Sequence, residues 1–436
     1  MKRIVCALLS AVALSGAAVA AELDPLLGTG RELWKMSGEA VLRSIPDTFI
    51  WMDQAKSRLR FNARTSRAKL SLYGRNVQEA IFDVRNGQVV ALSVSVYNRG
   101  DAGDIEKKPF EAMLDELREK IQADVGANLR PQSQNASVSG SRLRSQVWRT
   151  GRGDVVLRWS LSRGQPEYIA VDFYPPGKAP RSLKDAIKTS VGSSELEEKV
   201  KTDPDGSRYM LLPMVDQGAK GYCVAATVER VLRYYGSNID QHVIAKLAQS
   251  DSERGTNINK IVDVLEGSQS KLGIRFRQLY RYELDNFNDL KKIVKEYNSV
   301  ARRMDSRKID LDDYLFVLGR SRYLDFGRLM KSLDFKVFRE VRMEEKRDCR
   351  EFLETVRENV DNGIPLCWST FIIPGVGDTD SSEFGMHMRI ITGYNEKTGE
   401  IIFSDSWGAG HEKKKLKNED AWGITVNLVS LEPRRK

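Results

Sequence analysis

The segment Pro213-Met-Val-Asp-Gln-Gly-Ala-Lys-Gly-Tyr-Cys223-Val-Ala-Ala-Thr227 constrains this chain more than any other. It reads as a glycine-bearing loop running into a helix predicted over 222–235, with Cys223 in the first turn. Val224, Val228, Val231, Leu232 and Tyr235 recur at helical spacing, so this helix must bury a face in a core. Gly218 and Gly221 let the backbone bend closely around the sulfur. A helix N-terminus offers free N–H groups and partial positive charge, both of which favour a thiolate over a thiol. Cys223 is therefore a candidate nucleophile.

A thiolate needs a base to carry its proton, and the sequence holds three histidines: His242, His387 and His411. His242 opens a helix predicted over 239–249 and reads as a surface or capping residue. His387 lies in Gly385-Met-His-Met-Arg-Ile-Ile-Thr-Gly-Tyr394, a predicted strand opening on a loop. The next predicted strand, Glu400-Ile-Ile-Phe-Ser404, ends at Asp405, followed by Ser406-Trp407-Gly408. Antiparallel neighbours can set that carboxylate beside the imidazole, where it fixes the tautomer and steadies the imidazolium. His411, in Gly408-Ala-Gly-His, is the competing base, but it follows the aspartate instead of preceding it.

Gln217-Gly-Xaa-Xaa-Gly-Xaa-Cys223 resembles the papain-like pattern in the spacing from oxyanion-hole glutamine to nucleophile, and Asp405-Ser-Trp-Gly408 resembles that family's Asn-Ser-Trp-Gly. The order Gln217, Cys223, His387, Asp405 matches as well. Aspartate in place of asparagine looks more like the bacterial double-glycine-leader (bacteriocin-processing) peptidase branch. The resemblance implies a papain-like catalytic domain over 208–436, built of a helical lobe and an antiparallel sheet lobe. It further implies that the Gln217 side-chain amide and the Cys223 N–H donate to the oxyanion, and that Trp407 shields the contact between His387 and Asp405. Two departures stand out: Lys220 occupies the place of a structural cysteine of papain, and Val224 that of the tryptophan after the nucleophile. Neither removes a catalytic part. The implied activity is that of a cysteine peptidase acting on a peptide or protein substrate, with no cofactor or metal. A thiol amidase or transamidase, and a non-catalytic peptide-binding protein, remain alternatives.

The chain as a whole is expected to be α+β, with a separate α+β domain over 21–178 ahead of a linker over 179–207. In the first domain a helix is predicted near 30–43, strands over 67–73, 78–84 and 88–97, and a helix over 109–125. Phe110, Met113, Leu114, Leu117 and Ile121 give that helix an apolar stripe. Asn86-Gly87 marks a hairpin. After a polar loop, strands are predicted over 145–151, 154–162 and 167–174. This domain shows no chemistry of its own, and the roles of pro-segment, substrate recruiter and scaffold are all open to it. Beyond the Cys223 helix, further helices are predicted over 239–249, 257–267, 284–303, 322–332 and 346–361, followed mainly by strands. The charged stretch 284–343 has no assigned role.

Lys2, Arg3, the apolar run Ile4–Leu14 and Ala18-Val19-Ala20 have the layout of a secretory signal peptide, expected over 1–20. Export to the periplasm or exterior is the matching expectation. No later run approaches the roughly 18 apolar residues of a membrane span, so no membrane anchor is expected. The formal charge of +9 comes without a phosphate loop, zinc-like spacing or nucleic-acid motif, so no nucleic acid partner is expected. The excess suits a solvated basic face or contact with an anionic envelope surface. Cys223, Cys349 and Cys367 follow the leader, an odd count that leaves at least one free thiol. A Cys349–Cys367 disulfide is disfavoured, because the predicted helix and strand hold the two apart while a disulfide needs Cα atoms within about 7 Å.

Overall fold

Along Arg58–Asn62, Leu59 and Phe61 enter an apolar core while Arg58 and Arg60 lie on the opposite face, as the two-residue period of a strand requires. In the computed structural model this strand belongs to an eight-stranded antiparallel sheet. The structure describes residues 20–28, 30–138, 141–162, 164–182, 194–217, 223–237, 244, 266–267, 269–270, 272–283, 286–318, 321–377 and 384–434. In spatial order the first sheet runs Ile50–Trp51, Arg58–Asn62, Glu79–Arg85, Gln88–Asn98, Gln165–Tyr174, Asp154–Ser162, Ser141–Arg149, Gln132–Val138. The helix Lys107–Val125 covers its apolar face through Phe110, Leu114, Leu117 and Ile121. At the hairpin turn Asn86 and Gly87 take φ of 52° and 78°, the left-handed pair that an Asn-Gly turn supplies.

Three expectations for this half are corrected. The helix near 30–43 is a 3-10 turn, Gly30–Lys35, followed by an α-helix, Gly38–Ser44. Ser37 breaks the two apart, because its side chain caps the second by accepting from the Ala40 N–H at 3.1 Å. The polar loop after the long helix contains the edge strand Gln132–Val138. Arg58–Asn62, a buried strand, was not foreseen at all. Residues 1–19 lie outside the described residues, and Ala20 starts a short strand, Ala20–Glu22, parallel to Lys69–Leu72.

A second antiparallel sheet is centred on Gly385–Asn395, which pairs with Leu366–Ile372, Arg208–Met210 and Glu400–Ser404. Thr425–Pro433 and Ile274–Arg281 extend it on one side, Lys414–Lys417 on the other. Val200–Thr202, inside the stretch expected as linker, pairs with Arg208–Met210, so this sheet begins before residue 208. Helices Cys223–Tyr234, Phe287–Arg303 and Lys346–Asp361 appear close to their expected places. The helix expected over 322–332 is instead the strand Ser321–Leu324 and the helix Phe326–Ser332; two more helices, Phe335–Glu344 and Asn418–Ile424, were not foreseen. The helices expected over 239–249 and 257–267 lie almost wholly outside the described residues, as do His242, Gly218, Lys220 and Gly221. Mixed helices and antiparallel sheets make the chain α+β. The two halves also share a packed boundary, since Leu143, Tyr168 and Ala170 of the first sheet join the core of the second half.

The end of the helix Lys346–Asp361 shows how tightly the second half is fitted. The Gly363 N–H donates to Val360 O at 2.9 Å and the Ile364 N–H to Asn359 O at 2.8 Å, with Gly363 at φ 68°. This left-handed cap points the chain into the sheet. A Cβ on Gly363 would lie 2.1 Å from Leu196 O. Left-handed strain and overpacking together make Gly363→Ala destabilising by about 2 to 4 kcal/mol, read as a lower urea midpoint with an unchanged slope.

Candidate active site

Cys223 opens the helix Cys223–Tyr234, whose residues from Val224 to Leu232 are all buried. Cys223 as a residue is partly buried, in contrast to the interior residues that follow it. It is in hydrogen-bond contact with His387, and the Val224 and Met388 backbones also contact it. Burial pushes the thiol up, but the His387 contact and these backbone contacts outweigh it and hold Cys223 below the ordinary thiol range.

His387 reaches the sulfur from the strand Gly385–Asn395, where it pairs with Thr370. On the neighbouring strand Ser404 stands opposite Ile390, which brings Asp405 level with Arg389 and diagonal to His387. Asp405 Oδ1 lies 3.2 Å from His387 Nε2 and accepts from Arg389 Nε at 3.0 Å. Lys414 Nζ stands 3.6 Å from Asp405 Oδ2. All of these groups are at least nine-tenths buried. Burial alone would raise the Asp405 carboxyl; the His387 contact, Arg389 and Lys414 overcome it and bring it down to about 2. Burial likewise acts to lower His387, and its contacts with Asp405 and Cys223 outweigh that and raise it. The arrangement favours a thiolate beside an imidazolium, with an ionised carboxylate behind.

Trp407 covers the pair. Its ring stacks on His387 with centroids 4.6 Å apart and planes inclined by 27°, and it meets His411 edge-on at 5.5 Å. His411, the competing base of the sequence, closes the turn after Asp405: its carbonyl accepts from the Asp405 N–H at 3.0 Å and from Ser404 Oγ at 2.9 Å. Gln217 is tied to the same turn, its backbone N–H donating to Ser406 O at 2.9 Å.

Sequence reasoning missed Arg230, Arg389 and Lys414. Arg230, fully buried on the nucleophile helix, donates to Pro213 O at 3.0 Å, to Asp405 O at 2.8 Å and to Ser404 Oγ at 2.5 Å. A signal for Arg389 was available: two residues beyond His387 on a strand, it must share that residue's face. Arg230 had none, since a single arginine beside an apolar helical stripe reads as solvent-facing. Cys349 and Cys367 are both free and buried. Burial pushes Cys367 up to about 12 and raises Cys349 as well. Among the described residues no cluster of metal-ligating side chains is present.

Residues 335–429, which include His387 and Asp405, match the Peptidase_C39 like family. That segment, with the site it carries, is similar to cysteine peptidases of this family. Among solved structures, xylellain, a cysteine protease from Xylella fastidiosa, aligns with 59% of this chain and 95% of its own at 11% identity and a TM-score of 0.26. No curated protein matches the sequence.

The thiolate is the species that iodoacetamide alkylates, so the pH dependence of labelling reads the pair directly. Cys223 should react with a midpoint below the roughly 8.5 of a free thiol, and His387→Ala should raise that midpoint. Cys349 and Cys367 should stay unlabelled in the folded protein. Wild type and His387→Ala sharing one midpoint near 8.5 would contradict the ion pair.

Proposed function

We propose that the chain hydrolyses peptide bonds through a Cys223–His387–Asp405 triad with Gln217 in the oxyanion hole. The observation that carries this reading is the position of His387, in contact with the Cys223 thiol on one side and 3.2 Å from the Asp405 carboxylate on the other. The thiolate attacks the carbonyl carbon of the scissile amide, and the carbonyl π electrons move onto oxygen. That oxyanion is met by the Cys223 N–H and by the Gln217 side-chain amide. Collapse of the intermediate breaks the C–N bond as His387 gives its proton to the leaving amine. Water, deprotonated by His387, then attacks the thioester, releases the acid and returns the proton to the pair.

Asp405 orients the imidazole and balances its charge, while Arg389 and Lys414 keep the carboxylate ionised and in place. An aspartate in this role aligns the chain with the double-glycine-leader branch of the papain-like enzymes. The reading extends to location: the leader-like residues 1–20 support export to the periplasm or exterior. N-terminal sequencing of product from a bacterial periplasm should then find residues up to about Ala20 removed.

The direct test is digestion of a defined peptide library. Wild type should cleave a reproducible subset and Cys223→Ala none. Gln217→Ala should lower kcat by roughly 10²- to 10³-fold with little change in KM, as for loss of one oxyanion donor. Equal cleavage by wild type and Cys223→Ala would refute the proposal.

A further inference from the structure

The loop that leads to Gln217 is held by four anchors. Arg230 Nε donates to Pro213 O at 3.0 Å, Arg58 Nη1 to Met214 O at 2.8 Å, Arg60 Nη1 to the Asp216 carboxylate, and the Gln217 N–H to Ser406 O at 2.9 Å. Arg58 and Arg60 come from a single strand of the N-terminal sheet, some 150 residues away in sequence. They are 4% and 3% exposed.

Each is gripped by its own sheet before it reaches across. Arg58 Nε donates to Asp83 Oδ1 at 2.8 Å and Arg60 Nε to Glu79 Oε1 at 2.7 Å, both acids lying on the adjacent strand. One edge of each guanidinium is thus fixed and the other aimed at the loop, which is how a planar fork becomes a rigid bracket. The apolar core of the sheet is served by the alternate residues Leu59 and Phe61, so the arginines are not needed to fill it. Asp216 also abuts the turn over the base: a Cβ on Gly408 would stand 3.1 Å from its Oδ2, and Gly408 follows Trp407. One carboxylate is therefore set against the Trp407 turn and directly precedes the residue assigned to the oxyanion hole.

We infer that Arg58 and Arg60 are positioning residues for the oxyanion loop, which makes the N-terminal sheet a working part of the peptidase. This rests on the reading of Gln217 as an oxyanion donor. Releasing Asp216 moves the backbone that carries Gln217, while the thiolate–imidazolium pair, held by the second sheet and its helix, keeps its geometry.

The two functions separate experimentally, because amide hydrolysis uses the oxyanion hole and alkylation by iodoacetamide does not. Full-length wild type, Arg60→Gln, Asp216→Asn and Cys223→Ala are compared on a fluorogenic peptide taken from the library digest and on the iodoacetamide rate at Cys223. Arg60→Gln and Asp216→Asn should lower kcat by about 10- to 100-fold, the scale of a misplaced catalytic donor, with KM and the alkylation rate within about 3-fold of wild type. Asp216 is partly exposed, so its variant tests the bracket even where a buried Arg60 replacement impairs folding. Unchanged kcat in both variants overturns the inference, as does a parallel fall of hydrolysis and alkylation in both. Failure of wild type to exceed Cys223→Ala removes the peptidase reading and the inference with it, an outcome distinguishable from either.

Discussion

One buried guanidinium joins the three segments that make up the candidate site. Arg230 sits on the helix that begins with Cys223, bonds the loop that ends at Gln217, and bonds the carbonyl of Asp405 and the hydroxyl of Ser404. Its direct partners are neutral oxygens, so its charge is offset only at a distance. Burial lowers its pKa to about 10 despite the fields of Asp405, Glu412 and Asp53. A cation in that position is tolerated because Asp405 stays ionised, and Asp405 stays ionised because cations surround it. The helix, the loop and the turn are thereby held as one rigid unit.

The same reasoning explains why Asp405 is so heavily attended. A lone buried carboxylate beside an imidazole would itself tend to take up a proton. The charged form of His387 opposes that tendency most, and Arg389 and Lys414 add to it while competing with the imidazolium for the carboxylate's charge. His387 is nevertheless raised, because its contact with Asp405, joined by its contact with Cys223, outweighs burial. Charge in the site is thus shared among Cys223, His387, Asp405, Arg389 and Lys414, and no single pair accounts for it. Burial is divided as well: Cys223 is partly buried, whereas His387, stacked on Trp407, and Asp405 are fully interior.

Local pattern marked the candidate residues, and long-range pairing hid the rest. Cys223 is marked by a loop-to-helix transition within a few residues of it. His387 and Asp405 belong to strands joined by a tight turn, so their adjacency follows from the period of two and the hairpin between them. Arg58–Asn62 was missed because its polar face is buried against another part of the chain, which a reading of alternation as inside against outside cannot register. Gln132–Val138 is an edge strand of polar residues, and Ile274–Arg281 finds its partner only at the far end of the chain, in Thr425–Pro433. The helix Phe335–Glu344 carries Arg342 inside the core, its guanidinium 4.1 Å from the Tyr282 ring centroid and 4.2 Å from that of Trp422. A charged residue buried between aromatic faces breaks the stripe on which helix recognition relies.

These buried cations bear on how the two halves of the chain relate. A detachable inhibitory segment is expected to meet its enzyme through a surface that remains satisfied in water once the two part. The boundary here is of another kind. Withdrawing the first sheet would expose Leu143, Tyr168 and Ala170, which lie in the core of the second half, and would strip Met214 O and Asp216 of their arginine partners. The loop before Gln217 would lose those two anchors and keep the ones from Arg230 and Ser406. An interface that places apolar side chains in a shared core and paired charges beside the loop that ends at Gln217 has the character of a domain interior, and a chain built this way has reason to keep its N-terminal sheet in place.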